Sequence, residues 1–129
     1  MEILVCAKQV ADDSVEIMLN PETGKPALEG VTEVVNAFDT YALEMATRLK
    51  EEKGGTVCVV SLGGESAANS LKNCLAVGAD EAFHIKDEEY QNRDTLAVAQ
   101  KVAEGIQKIE EQRGKKFDII FCGRESTDY

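Results

Sequence analysis

The densest group of chemistry-bearing side chains in this sequence is Gly123-Arg124-Glu125-Ser126-Thr127-Asp128, which offers a glycine, a cation, two hydroxyls and two carboxylates in one short segment. Hydroxyls of the Ser126 and Thr127 kind bind phosphate or ribose oxygens, and Asp128 can orient the loop by side-chain to backbone hydrogen bonds. The same composition also suits an ordinary polar loop, and the residues by themselves leave both readings open. A second, weaker group is Gly63-Gly64, where an apolar run meets a helix start near Glu65. Glycine there lets a ligand approach the backbone, and free N–H groups at a helix start favour phosphate, but a plain tight turn looks the same. Neither G-x-G-x-x-G nor G-x-x-x-x-G-K-[ST] occurs, which disfavours a standard dinucleotide fingerprint and a P-loop.

Reacting side chains are scarce. His84 is the one histidine, in Ala82-Phe83-His84-Ile85, and it reads as structural. Cys6, Cys58, Cys74 and Cys122 show no C-x-x-C spacing, so a zinc site or redox dithiol motif is not indicated, and reduced core thiols are expected. There is no nucleophile elbow, no second histidine for a metal and no isolated carboxylate pair. The expectation is a holder of a cofactor, with no catalytic side chain and no metal.

Such a holder needs a scaffold. Four apolar runs, Ile3–Ala7, Val57–Leu62, Ala82–Ile85 and Ile119–Cys122, are continuous rather than alternating, as in parallel strands buried on both faces. Three helical stripes lie between them: Phe38, Ala42, Met45, Ala46 and Leu49; Ala67, Ala68, Leu71, Cys74 and Leu75; and Leu96, Ala99, Val102, Ala103 and Ile106. Gly54-Gly55, Gly78 and Gly114 follow these stripes as helix stops, and Asp94 or Thr95 can cap the third helix. Ser14–Gly30 contains Asn20-Pro21 and Thr23-Gly24 and reads as a hairpin excursion before the first helix. The predicted fold class is α/β, a doubly wound, mainly parallel, Rossmann-like sheet with helices on both faces and a hairpin after the first strand. Ligands of such sheets bind outside the carboxyl ends of the strands where strand order reverses. That selects Cys6–Gln9, Ser61–Gly64 and Gly123–Asp128.

Bulk properties agree with a folded domain. The 129 residues fit one domain, and 43% are hydrophobic. A net charge of −10 argues against a nucleic-acid partner. No apolar run is long enough to insert in a membrane, and the opening Met1–Cys6 reads as a strand rather than a signal peptide, so a cytoplasmic protein is expected.

Four blocks then resemble one family. Ile3-Leu4-Val5-Cys6-Ala7-Lys8-Gln9-Val10 resembles the opening strand of the beta subunit of electron transfer flavoproteins. Asn36-Ala37-Phe38-Asp39-Thr40-Tyr41-Ala42-Leu43-Glu44 is similar to that family's Asn-Pro-aromatic-acid segment leading into an alanine-rich helix. Cys74-Leu75-Ala76-Val77-Gly78-Ala79-Asp80-Glu81-Ala82 is similar to its Leu-Ala-Met/Val-Gly-Ala-Asp stretch, and Phe117–Arg124 resembles its last strand before the nucleotide loop. The blocks occur in order across the whole chain.

The resemblance implies an adenine-nucleotide-binding type of sheet in an alpha–beta heterodimer. The alpha subunit carries the redox FAD, and the pair passes electrons between an acyl-CoA or other dehydrogenase and an acceptor. The beta subunit binds AMP in ordinary members and a second FAD, reduced by NADH, in electron-bifurcating members; Cys74–Ala82 leans toward the latter. Carried over residue by residue, the pocket uses Cys6, Asn36, Ala37, Phe38, Asp39, Leu62, Gly123, Arg124, Glu125, Ser126, Thr127 and Asp128. Ala37 stands where the family has proline, and Glu125 where glutamine is usual. The family's loop continues past the position of Tyr129, so residues 1–129 are expected to form a nucleotide-binding domain truncated at its C-terminal end, with weak or absent nucleotide binding. Two alternatives share the architecture: an ATP-binding regulatory domain resembling universal stress proteins, and an adenylating ligase. The first needs a phosphate loop after a late strand, and the second needs a signature loop near the first strand that is missing.

Overall fold

A computed structural model describes residues 1–11, 18–19, 26–27, 33–87, 89 and 94–123. The central sheet has four parallel strands, β1 (Glu2–Cys6), β6 (Thr56–Gly63), β7 (Glu81–Lys86) and β8 (Ile119–Cys122), in the order β7-β6-β1-β8. Between β1 and β6 lie the short strands β2 (Gln9–Ala11), β3 (Met18–Leu19), β4 (Pro26–Ala27) and β5 (Glu33–Val35), then helix α1 (Ala37–Lys53). Helix α2 (Ala67–Val77) joins β6 to β7, and α3 (Thr95–Arg113) joins β7 to β8. The chain therefore steps outward from β1 through β6 to β7, then returns to the far side of β1 for β8. The doubly wound α/β class follows from this order. No helix among the described residues is long and apolar enough to cross a membrane.

The continuous apolar runs form the strands because both sheet faces are covered near the centre. Ile3, Val5, Val57 and Val59 pack with Ala42, Leu43 and Ala46 of α1 and Leu71 and Cys74 of α2 on one face. Leu4, Cys58 and Val60 pack with Ile109 of α3 on the other. Ile3, Leu4, Val5, Val57 and Val59 are fully buried, and each such side chain contributes about 1.5–3 kcal/mol. The helix ends follow local chemistry. The Asp94 carboxylate accepts the Ala97 N–H at 2.8 Å and starts α3. Gly54, Gly78 and Gly114 close the three helices, each donating its N–H to the carbonyl four residues back.

Four expectations are corrected. β8 is not buried on both faces: Ile119 is 36% and Ile120 46% exposed, because β8 is an edge strand and α3 packs over β6 and β7 instead. The stripe of α1 is turned, so that Asp39, Ala42, Leu43 and Ala46 are buried while Met45 is exposed. In α3, Leu96, Ala99 and Ala103 are exposed, and the sheet-facing line runs through Val102, Ile106 and Ile109; in α2, Leu75 is exposed. The hairpin expectation holds where it is described: β3 pairs with β4 antiparallel, Met18 opposite Ala27 and Leu19 opposite Pro26. A second antiparallel pair, β2 with β5, adds to the expected elements.

The amino edge of the sheet is fastened by carboxylates. Asp118 accepts the Glu2 N–H at 2.6 Å and returns its own N–H to the Glu2 carbonyl at 2.8 Å. Asp80 does the same with Val57, at 2.9 and 2.8 Å, and also holds the Lys50 ammonium at 2.7 Å. Arg113, at the end of α3, pairs with Glu2 of β1 and with Glu81 of β7, the latter at 3.2 Å, and lies over the Phe117 ring.

Candidate functional site

At the opposite edge the strand order reverses between β1 and β8, so their carboxyl ends flank a crevice of the kind that receives ligands in open α/β sheets. Cys6 and Cys122 are register partners there, and each strand then leaves the sheet, through Ala7-Lys8 and through Gly123. Helix α1 begins at the same place. The Asn36 N–H donates to the Lys8 carbonyl at 2.7 Å, and the Asn36 carbonyl accepts the N–H groups of Asp39 and Thr40 at 3.0 and 3.1 Å.

Asp39 ties the three segments together. Its Oδ2 accepts the Lys8 N–H at 2.8 Å. It also accepts from the Gly123 N–H and from the Asn36 side chain. Its side chain is buried, which pushes its carboxyl above the usual range, although these hydrogen bonds and the Lys8 charge pull it down. Gly123 is needed because Asp39 is so close: a Cβ built on residue 123 would lie 2.1 Å from Asp39 Oδ1. A glycine here admits the carboxylate to the backbone, and any other residue collides with it.

The next strand end is joined to the same edge. Ala7 donates to the Val60 carbonyl at 2.9 Å, and the Gln9 side chain exchanges hydrogen bonds with Ser66, at 3.1 Å to its carbonyl and 3.2 Å from its hydroxyl. Ser61, near the end of β6, is buried, and its Oγ has no hydrogen-bond partner among the described residues. His84 Nε2 lies 3.1 Å from the Gly63 carbonyl, which fits a structural role. No group of three or more metal-ligating side chains forms among the described residues.

Of the residues singled out from sequence, Cys6, Asn36, Asp39 and Gly123 meet at this junction. Ala37 is exposed and Phe38 half-buried on the first turn of α1. Leu62 is buried one strand away, on the α3 face beside Ile85. Arg124, Glu125, Ser126, Thr127 and Asp128 lie outside the described residues. Lys8, which the strand-end rule selects but the family carry-over does not, meets both Asn36 and Asp39 through its backbone; Cys122, opposite Cys6, is the residue that sequence reasoning left out of the pocket. Cys122 is also a correction, since it is exposed at the edge strand rather than a core thiol. A signal was available: Cys122 closes its apolar run, and Cys6 stands one residue before the end of its own.

At this switch point the backbone of Lys8 and Gly123 closes on a carboxylate that is turned inward and hydrogen-bonded. The negative charge of Asp39 is thus directed at N–H groups rather than presented to an incoming anion. Comparison with known proteins identifies relatives along the whole chain. The electron transfer flavoprotein domain model matches residues 25–129. The chain is 42% identical over 129 residues to the caffeyl-CoA reductase-Etf complex subunit CarD of Acetobacterium woodii, covering 99% of this chain and 47% of that protein. It is 41% identical to the electron transfer flavoprotein subunit beta of Clostridium acetobutylicum, covering 99% and 47%, and 39% identical to protein FixA of Azotobacter vinelandii, covering 99% and 44%. The chain spans about half the length of the curated relatives it matches.

Proposed function

The chain belongs to the electron transfer flavoprotein domain family, and from that premise we propose that it holds an adenine nucleotide at the β1–β8 crevice as the beta-type partner in an electron-carrying heterodimer. The observation that carries the reading is the junction of Lys8, Asn36, Asp39 and Gly123 at the switch point of the sheet. Asp39 positions the two strand exits and the helix start; Gly123 lets the wall approach closely; Cys6 and Phe38 supply apolar surface, and Leu62 backs the neighbouring strand end. The segment Arg124–Asp128 continues from Gly123 and contributes hydroxyls to phosphate or ribose.

AMP and FAD share an adenosine phosphate, and a crevice at the switch point suits that common part. The FAD reading is favoured by one comparison: the relative from Acetobacterium woodii is, by its name, a subunit of a reductase–Etf complex. When bound, FAD supplies the hydride and electron chemistry; this chain's residues bind and orient it. The partners in this reading are an FAD-carrying alpha subunit and an acyl-CoA or other dehydrogenase, in the cytoplasm. The test is co-expression with an FAD-carrying alpha subunit and analysis of extracted nucleotides. Two flavins per dimer support the bifurcating type, one flavin with AMP the ordinary type. An ATP-dependent homodimer that ignores the alpha subunit would replace the proposal with the regulatory-domain alternative.

A further inference from the structure

Nucleotide binding uses Cys6 only as apolar surface and gives the thiol chemistry of two facing cysteines at the crevice no task. Cys6 and Cys122 are register partners on adjacent parallel strands, so their side chains leave the same face of the sheet. Strand spacing sets their Cα atoms about 4.8 Å apart, inside the roughly 4.4–6.8 Å range that a disulfide spans. Their thiols lie within hydrogen-bonding reach of each other. Cys122 is exposed and Cys6 half-buried, whereas Cys58 and Cys74 are buried in the core. β8 has only β1 as a strand neighbour among the described residues, so drawing the two sulfurs together moves one edge strand and no interior one.

We propose that Cys6 and Cys122 form a cross-strand dithiol that reacts with soluble low-molecular-weight disulfides and closes to an intramolecular disulfide at the mouth of the crevice. Access sets the order of events. The exposed Cys122 thiolate attacks one sulfur of the soluble disulfide, forming a mixed disulfide and releasing one thiolate. The Cys6 thiolate then attacks the Cys122 sulfur and releases the second. Two S–H bonds are lost and one S–S bond forms; the soluble disulfide is reduced to two thiols, which take up the two protons. Burial, with Cys122 and Asp39 beside it, pushes the Cys6 thiol up to about 12. Cys6 is therefore a poor first nucleophile, and it acts in the second step, where the target sulfur is already adjacent. The dithiol closes with or without a nucleotide bound.

The test uses the full chain, reduced, then exposed to glutathione disulfide, quenched by alkylation and mapped by peptide mass. The expected product is a Cys6–Cys122 peptide pair with two hydrogens lost and no glutathione retained, while Cys58 and Cys74 stay reduced. Cys6→Ser should trap one glutathione on Cys122. Cys122→Ser should slow reaction at Cys6 by at least about tenfold, as buried thiols react slowly. Persistent glutathione on wild-type Cys122, a disulfide to another cysteine, no reaction at all, or an unchanged Cys6 rate in Cys122→Ser would each overturn the proposal.

Discussion

Replacing Gly123 with alanine tests whether Asp39 and Gly123 form one unit. The added Cβ would sit 2.1 Å from Asp39 Oδ1 and 3.2 Å from the Asp39 backbone N, so either the carboxylate or the strand exit must move. Overpacking of this kind costs about 1–3 kcal/mol, and loss of the charged hydrogen bond from the Gly123 N–H adds about 1.5 kcal/mol or more. We expect Gly123→Ala to destabilise by about 3 kcal/mol. Asp39→Ala removes the acceptor of the Lys8 and Gly123 N–H groups. That strands two donors near the surface but relieves a desolvated carboxylate, for a net loss of about 2 kcal/mol. In the double variant the clash is gone, because the methyl added at position 123 occupies the space the carboxylate left. Its loss should be about 3 kcal/mol, short of the sum of the singles by about 2 kcal/mol. Urea unfolding of the four proteins, followed by circular dichroism, supplies the cycle. Additivity within about 0.5 kcal/mol would mean that the two residues do not share a site, and the account of the junction would fall.

Other consequences can be checked in the same way. Gly55→Ala should cost about 3 kcal/mol, since at φ +123° its Cβ would lie 1.8 Å from the Met1 carbonyl oxygen, while Gly54→Ala, with open space around it, should cost about 1 kcal/mol by urea melt. Arg113→Ala should lose about 2–3 kcal/mol by leaving Glu2 without its cation, and Arg113→Lys should restore less than half, because one ammonium cannot span Glu2 and Glu81 as the guanidinium does. The Lys50 ammonium and the Val57 N–H hold the Asp80 carboxyl below its usual range. The unfolded chain therefore takes up that proton first, so this contribution is present above about pH 4 and fades as pH falls through the lower folded value. Asp80→Asn should be less stable at neutral pH and should flatten the acid limb of the urea midpoint; an unchanged limb would show that Asp80 is not linked to folding.

The strands are readable because burial on two faces writes an uninterrupted apolar run, as in Ile3–Ala7. The same runs do not reveal that β8 is an edge, since Ile119–Cys122 is as apolar as β1 and exposure depends on where α3 lands. The α3 stripe misleads because Ala99 and Ala103 weigh as apolar in a pattern yet need no burial, whereas Ile109 falls outside the window. The face of α1 is obscured for the opposite reason: it contains Asp39, an acid whose burial is compensated by N–H groups from residues 8 and 123. Strand-end logic leads to Cys6, Lys8 and Gly123 from the residues alone, but Asn36–Asp39 come only through the family resemblance. The register between Cys6 and Cys122 is a tertiary property with no local trace.

The position of β8 beside β1 also bears on how the chain is made. The Glu2–Asp118 contacts join residues 116 apart, so the pairing that finishes the sheet is among the last the ribosome can permit. β1 can find β6 once residue 63 has emerged, yet its other edge stays bare until residue 122 follows. Through that interval the nascent chain carries Ile3, Leu4 and Val5 in a strand with open hydrogen-bonding groups, a template for pairing with a neighbouring chain. The crevice is consequently the last part of the described fold to exist, and chains released early would carry a nearly complete core with no site.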